Sequence, residues 1–191
     1  MQDASYELPV RSATARRTTT AWLVLGLVAL VAAGVFSILL VLARTPLVQG
    51  LIPLLDFFHV ALVVHVTLSV LIWLLAASAA TWSLSTDIDK PVWDRVSVLL
   101  AAAGTAIVIV APFLGAGSPQ MSNYVPVLQH PLFFAGLLLF IAGICSHLLR
   151  SVLTRKRLGA QLGGTEALHA GITLSTLLTA LAIIAVGLSW V

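Results

Sequence analysis

The chain is 191 residues long, 60% hydrophobic and only 9% charged, where a soluble domain is about a quarter charged. That balance excludes a water-soluble globular fold. The formal net charge of +3 is no sign of nucleic-acid binding, because the charges sit in short segments between apolar runs, where they set membrane orientation. A single cysteine, Cys145, excludes an internal disulfide framework and argues against a Cys-based zinc or iron–sulfur site.

Residues 1–19 read as a polar tail. The apolar run behind them is too long for the core of a signal peptide and has no clear cleavage site, so no cleaved leader is expected. The first span is predicted over about 21–43. The segment Arg44 to Asp56 (RTPLVQGLIPLLD) is short, apolar and bounded by prolines, and is expected to lie along the membrane interface, with Asp56 capping the next helix. The second span is predicted over about 58–84 and the third over about 96–115. Gly115 to Gln129 (GAGSPQMSNYVPVLQ) is rich in turn-forming residues and reads as a long connection. The fourth span is predicted over about 130–149. A basic loop follows, ending in Gly163-Gly164-Thr165-Glu166, where Thr165 suits an N-cap and Glu166 a helix start. The fifth span is predicted over about 167–190.

Each run is about 20 residues or more, enough to cross ~30 Å of hydrocarbon. Strands do not suit the pattern, because apolar residues run on without alternating and an open sheet leaves its edges unsatisfied in lipid. The prediction is all-α: residues 1–191 as one integral membrane domain, a bundle of five transmembrane helices with no soluble domain and no obvious repeat. Five spans use up the length, too few for a full large respiratory or transport subunit.

Orientation follows from the basic residues. Arg11, Arg16 and Arg17 precede span one, Lys90 and Arg95 separate spans two and three, and Arg150, Arg155, Lys156 and Arg157 separate spans four and five. With five spans these share one side, and only Arg44 falls on the other. The N-terminus is therefore expected in the cytoplasm and the C-terminus in the periplasm, as in a multi-pass protein of the bacterial inner membrane. Trp22, Trp93 and Trp190 fall near the predicted interfaces, as amphipathic rings do.

The histidines are the residues hardest to reconcile with hydrocarbon. Ionisable side chains inside spans usually serve a pathway, a partner or a metal. Centring span two between Asp56 and Asp87 puts His59 in the headgroup region and His65 roughly 5 Å inside the hydrocarbon edge. The two are about 240° apart around a helix, so they cannot face one partner. His130 opens span four on the same outer side, whereas His147 and His169 fall at the inner ends of spans four and five. Paired imidazoles on facing helices are what a six-coordinate heme needs, so His65 with His130 and His147 with His169 are candidate ligand pairs. Interfacial placement is an adequate home for His59 and His130. It also suits His147 beside Arg150 and His169 at a helix start. His65 lies deeper and has no charged neighbour on its own span.

The run His65-Val66-Thr67-Leu68-Ser69-Val70-Leu71-Ile72-Trp73-Leu74-Leu75 resembles the second helix of the large subunit of the heme–copper oxidase superfamily, especially its nitric oxide reductase and related branches. Arg44-Thr45-Pro46 and Phe57-Phe58-His59 upstream are similar to short proteobacterial relatives of that subunit. The resemblance covers the first two spans and implies that His65 is an axial ligand of a low-spin heme b. The departures are large. That family has about a dozen spans, and its second low-spin ligand lies on a late helix not found here. The His-His pair of its second metal is also missing, so oxygen or nitric oxide reduction is not implied. Asn123-Tyr124-Val125-Pro126 is similar to a loop of classical oxidases but follows the wrong helix on the wrong side.

Other chemistry is thinly represented. Met121 and His130 could suit copper, but two residues on a loop are weak grounds. No Walker loop, dinucleotide fingerprint, zinc-protease motif or nucleophile elbow is present. Gly26, Gly34, the Ala101–Gly104 run, Gly136 and Gly143 offer small surfaces for helix packing. The expectation is a heme b-binding electron-transfer or accessory subunit of a bacterial respiratory complex. It would work beside other membrane subunits and exchange electrons with a cytochrome c or a quinol. His65 and His130 would hold the iron, with His59, His147 and His169 as further candidate heme contacts. The alternative is a structural or assembly subunit that binds no cofactor.

Overall fold

The computed structural model describes residues 12–46, 57–85, 89–115, 117–121, 126–154 and 164–188. Helix α1 spans Ala13–Ala43. Helix α2 runs Phe57–Ser85, and α3 covers Pro91–Val110 and ends in a 3-10 turn at Ala111–Leu114. Two short strands follow, β1 at Pro119–Gln120 and β2 at Val127–Leu128. Helix α4 spans Pro131–Leu153 and α5 spans Thr165–Leu188. All five helices are long and apolar enough to cross a membrane.

Local chemistry sets the helix starts. Ser12 caps α1, its Oγ accepting from the Ala15 N–H at 3.1 Å, and the same hydroxyl donates to Asp89 at 2.6 Å. Pro91 and Pro131 sit in the first turns of α3 and α4, where a missing N–H costs nothing. Helices α1 and α4 extend beyond their predicted hydrocarbon spans, so Arg16, Arg17 and Arg150 are helical. Hydropathy finds the apolar middle of a helix, not its polar ends.

The connection between α3 and α4 departs from a plain loop. Gly115 and Gly117 adopt left-handed backbone angles (φ 78° and 70°), and the chain returns as a small antiparallel hairpin pairing Pro119 with Leu128 and Gln120 with Val127. This hairpin packs beside the start of α2. Asp56, Asn123, Tyr124, Arg155, Lys156, Arg157 and Trp190 lie outside the described residues, as does most of the predicted interfacial segment after Arg44.

The bundle is held by small residues. A Cβ on Gly104 would stand 2.4 Å from the Phe140 nitrogen and 2.5 Å from the Gly136 carbonyl oxygen, and one on Gly143 would stand 2.6 Å from the Ser97 carbonyl. So α3 and α4 touch backbone to backbone, as small-residue interfaces allow. Gly26 of α1 instead makes room for a side chain, the Trp73 ring of α2, whose Cε3 would stand 2.8 Å from an added Cβ. Gly34, expected to be a packing surface, faces open space. Helix α5 is the loosest member: Leu174, Leu178, Leu181 and Ile184 are exposed, as lipid-facing side chains are. Trp22, expected at an interface, is instead 0% exposed in the core.

Candidate functional site

Among the described residues, two polar sites interrupt the apolar bundle, one at each end. The first surrounds His65. Its Nδ1 lies 2.9 Å from the Ala33 carbonyl oxygen of α1. A carbonyl only accepts, so Nδ1 carries the proton and Nε2 keeps its lone pair. This is the arrangement that orients a metal-binding imidazole. The ring is half-buried, and among the described residues its hydrogen bond is the one from Nδ1.

Just past this ring the helix widens into a π turn over Thr67–Ile72, where the Trp73 N–H reaches back to the Leu68 carbonyl. Ser69 compensates by donating its hydroxyl to the His65 carbonyl at 2.7 Å, and Thr67 donates to Val63 at 2.8 Å. Such π turns occur frequently at functional sites. The sequence showed a continuous apolar run here and gave no sign of the insertion, although the two hydroxyls that stabilise it are visible in the His65–Ser69 segment.

The other residues of this end are placed differently from one another. His130 is the N-cap of α4, where its Nδ1 accepts from the Leu132 N–H at 3.2 Å. In that role its neutral ring carries the proton on Nε2. His59 packs edge-on against Phe58, whose face carries the Arg44 guanidinium 3.9 Å from the ring centre. Met121 is exposed on the hairpin loop. Among the described residues, no cluster of three or more His, Cys, Asp or Glu is placed to hold a metal ion. Of the histidines at this end, His65 fits the ligand chemistry of a heme iron as it stands, whereas His130 would first have to release the α4 cap.

The second site lies at the opposite end of the bundle and was not legible in the sequence. His147 is 0% exposed, between α1, α2 and α3. Its Nε2 is 3.1 Å from the Ala79 carbonyl oxygen and 3.1 Å from Ser83 Oγ, and the Trp22 ring packs 5.1 Å away. Its Nδ1 faces Asp94 Oδ1 at 3.8 Å. The other carboxylate oxygen of Asp94 accepts from Arg150 at 3.0 Å, in an ion pair whose members are 3% and 1% exposed. Thr18 of α1 approaches the same carboxylate. As packed, His147 has no nitrogen to offer an iron, because Nε2 is engaged by the protein and Nδ1 is enclosed against Asp94. His169 is half-buried in the second turn of α5.

Beside this cluster Trp93 donates to the Ser146 carbonyl and hydroxyl at 3.1 and 2.8 Å, and Ser97 donates to Ser146 Oγ at 3.0 Å. A polar seam therefore lines the α3–α4 contact. The sequence signal was an aspartate in the first turn of α3 and an arginine three residues after His147. The arginine counted only among the basic residues that set orientation.

Five apolar helices with charge concentrated at their ends are the make-up of a multi-pass helical membrane protein. No protein-family model matches the chain. It is 33% identical over 144 residues to the uncharacterized protein RP382 of Rickettsia prowazekii (strain Madrid E), covering 63% of this chain and 28% of that protein. It is likewise 33% identical over 129 residues to an uncharacterized protein of Aquifex aeolicus (strain VF5), covering 68% of this chain and 32% of that one. The match thus spans about a third or less of the length of these relatives. No solved structure matches.

Proposed function

We propose that this chain is a heme b-binding electron-transfer or accessory subunit of a bacterial respiratory complex, resident in the inner membrane with its basic end in the cytoplasm. The observation that carries the reading is the His65 ring, its Nδ1–H held by the Ala33 carbonyl and Nε2 left as a basic ligand. The π turn behind it supports the same reading. Bound heme would supply one-electron chemistry, with its potential set by the axial imidazoles and by the apolar surroundings.

The chain's own contributions follow from its residues. Ala33 fixes the tautomer and plane of His65. Ser69 and Thr67 stabilise the widened turn that follows it. His130 is the proposed second ligand and would exchange its capping bond for the metal. The outer aromatic residues Phe36 and Phe57, which both pack against Phe113, keep that end apolar. Electron partners would be a cytochrome c or a quinol, with other membrane subunits alongside. A reduced-minus-oxidised optical spectrum of the purified protein tests this. A b-type signal lost in His65→Ala supports it, and no reducible signal in the wild type refutes it.

One observation favours a second reading, a structural or assembly subunit without a cofactor. His130 and His147 both find protein partners, the first as a helix cap and the second inside the core. Co-purification with an oxidase, with no heme attributable to this chain, would favour it.

A further inference from the structure

The buried cluster at the basic end has a defined proton inventory. The Ala79 carbonyl accepts the Ser83 hydroxyl at 2.9 Å, and His147 Nε2 lies 3.1 Å from both groups. A carbonyl has no proton to give, and His147 Nε2 lies within hydrogen-bond distance of the Ala79 carbonyl oxygen. His147 must therefore donate from Nε2. Its Nδ1 then has only two states, bare or protonated, and it faces Asp94 Oδ1 across 3.8 Å. Neither of these two atoms has a hydrogen-bond partner among the described residues.

With Nδ1 bare, two sets of lone pairs confront each other in the core, at a separation too long for a hydrogen bond and too short for a bridging water. One added proton resolves the conflict. An N–H bond forms at Nδ1 as an O–H bond of a hydronium ion breaks and water is released, and the imidazolium can close on Asp94 to the ~2.7–2.9 Å of a charge-assisted bond.

We propose that Asp94 and His147 form a binding site for a single exchangeable proton, joining α3 to α4 at the basic end of the bundle. Arg150 neutralises Asp94 through the other carboxylate oxygen, so the cluster passes from net neutral to +1 on loading. Each packed element contributes a defined neighbour. Helix α1 brings Thr18 and Trp22, which do not titrate in this range. Helix α2 brings Ala79 and Ser83. Helix α3 brings Asp94, with Asp89 just before it held by Ser12. Helix α4 itself brings Arg150. A crevice lined by Ser85, Ser151, Thr173 and Thr176 lies between α2, α4 and α5. Ser151 in that lining donates to the His147 carbonyl at 2.9 Å, so the crevice comes within about one helical turn of the ring. The proposal does not depend on heme.

The experiment is 15N NMR of histidine-labelled full-length protein in lipid nanodiscs between pH 9 and pH 4, with His147 assigned by loss of its signals in His147→Gln. The expected result is an Nε2–H tautomer at high pH, and protonation of Nδ1 alone as pH falls. In Asp94→Asn, proton affinity should drop by about tenfold or more, the usual effect of removing a close opposite charge. A high-pH tautomer with the proton on Nδ1 overturns the proposal. So does a ring that stays neutral throughout, or a titration unchanged in Asp94→Asn. The first two outcomes are read in the wild type and hold even where the variant fails to fold.

Discussion

Gly104→Ala is the sharpest test of how the bundle is held. The new methyl would sit 2.4 Å from the Phe140 nitrogen, 2.5 Å from the Gly136 carbonyl oxygen and 2.9 Å from the Phe140 Cα. All three are backbone atoms, so no side-chain rotation relieves the overlap. Ordinary contact needs about 1 Å more, and that space can come only from separating α3 and α4. Separation also loosens the second backbone contact of the pair, Gly143 against Ser97 and Ala101. Overpacking of this kind costs about 1–3 kcal/mol. Alanine in place of glycine also returns up to about 1 kcal/mol of helix propensity, which must be removed from the comparison. Gly34→Ala is the control, because its Cβ meets nothing within 4 Å and it carries the propensity gain alone. Both variants would be unfolded by denaturant in mixed micelles and followed by far-UV circular dichroism. Gly104→Ala should be less stable than Gly34→Ala by about 1–3 kcal/mol. Equal stability of the two would refute the backbone-to-backbone crossing.

Other outcomes follow from the same geometry. Arg150→Met leaves the Asp94 carboxylate buried without its cation, and should cost about 3–5 kcal/mol in the same unfolding assay. The double variant Asp94→Asn/Arg150→Met should recover most of that loss, because the stranded charge is gone. His130→Ala removes the α4 cap and should lower stability by about 0.5–2 kcal/mol. His130→Asn, whose side chain can also accept from the first turn, should keep most of it. Ser69→Ala removes the hydroxyl bonded to the His65 carbonyl, and should raise amide hydrogen exchange locally around residues 67–73 while leaving α4 unchanged.

What the sequence revealed depended on whether the signal was continuous. Five spans were legible because apolar residues run on for twenty positions in each, and five helices long and apolar enough to cross a membrane lie over those runs. The crossing glycines Gly104, Gly136 and Gly143 were legible too, since small residues in a span have few other uses. Arg150 was not, because basic residues at span ends normally reach water. Here the helix continues past the hydropathy boundary and turns the guanidinium inward to Asp94. Trp22 and His147 were placed at interfaces for the same reason: an amphipathic ring near a span end fits that position without knowledge of its neighbours. Only tertiary packing brings α1, α2 and α3 around them. The π turn after His65 left no mark on hydropathy, since adding one residue to a turn changes backbone register and not composition. Similarly, the short hairpin before His130 depends on positive φ at Gly115 and Gly117, which a glycine permits but does not announce.

The most direct test of the central claim is the heme-to-protein ratio of the chain purified from heme-replete cells, measured by pyridine hemochrome against quantitative amino-acid analysis for wild type and His65→Ala. About one heme b per wild-type chain is expected, set by one oriented imidazole at the His65 end, with a near-complete loss in the variant. A wild-type ratio near zero, or a ratio unchanged in His65→Ala, would contradict it.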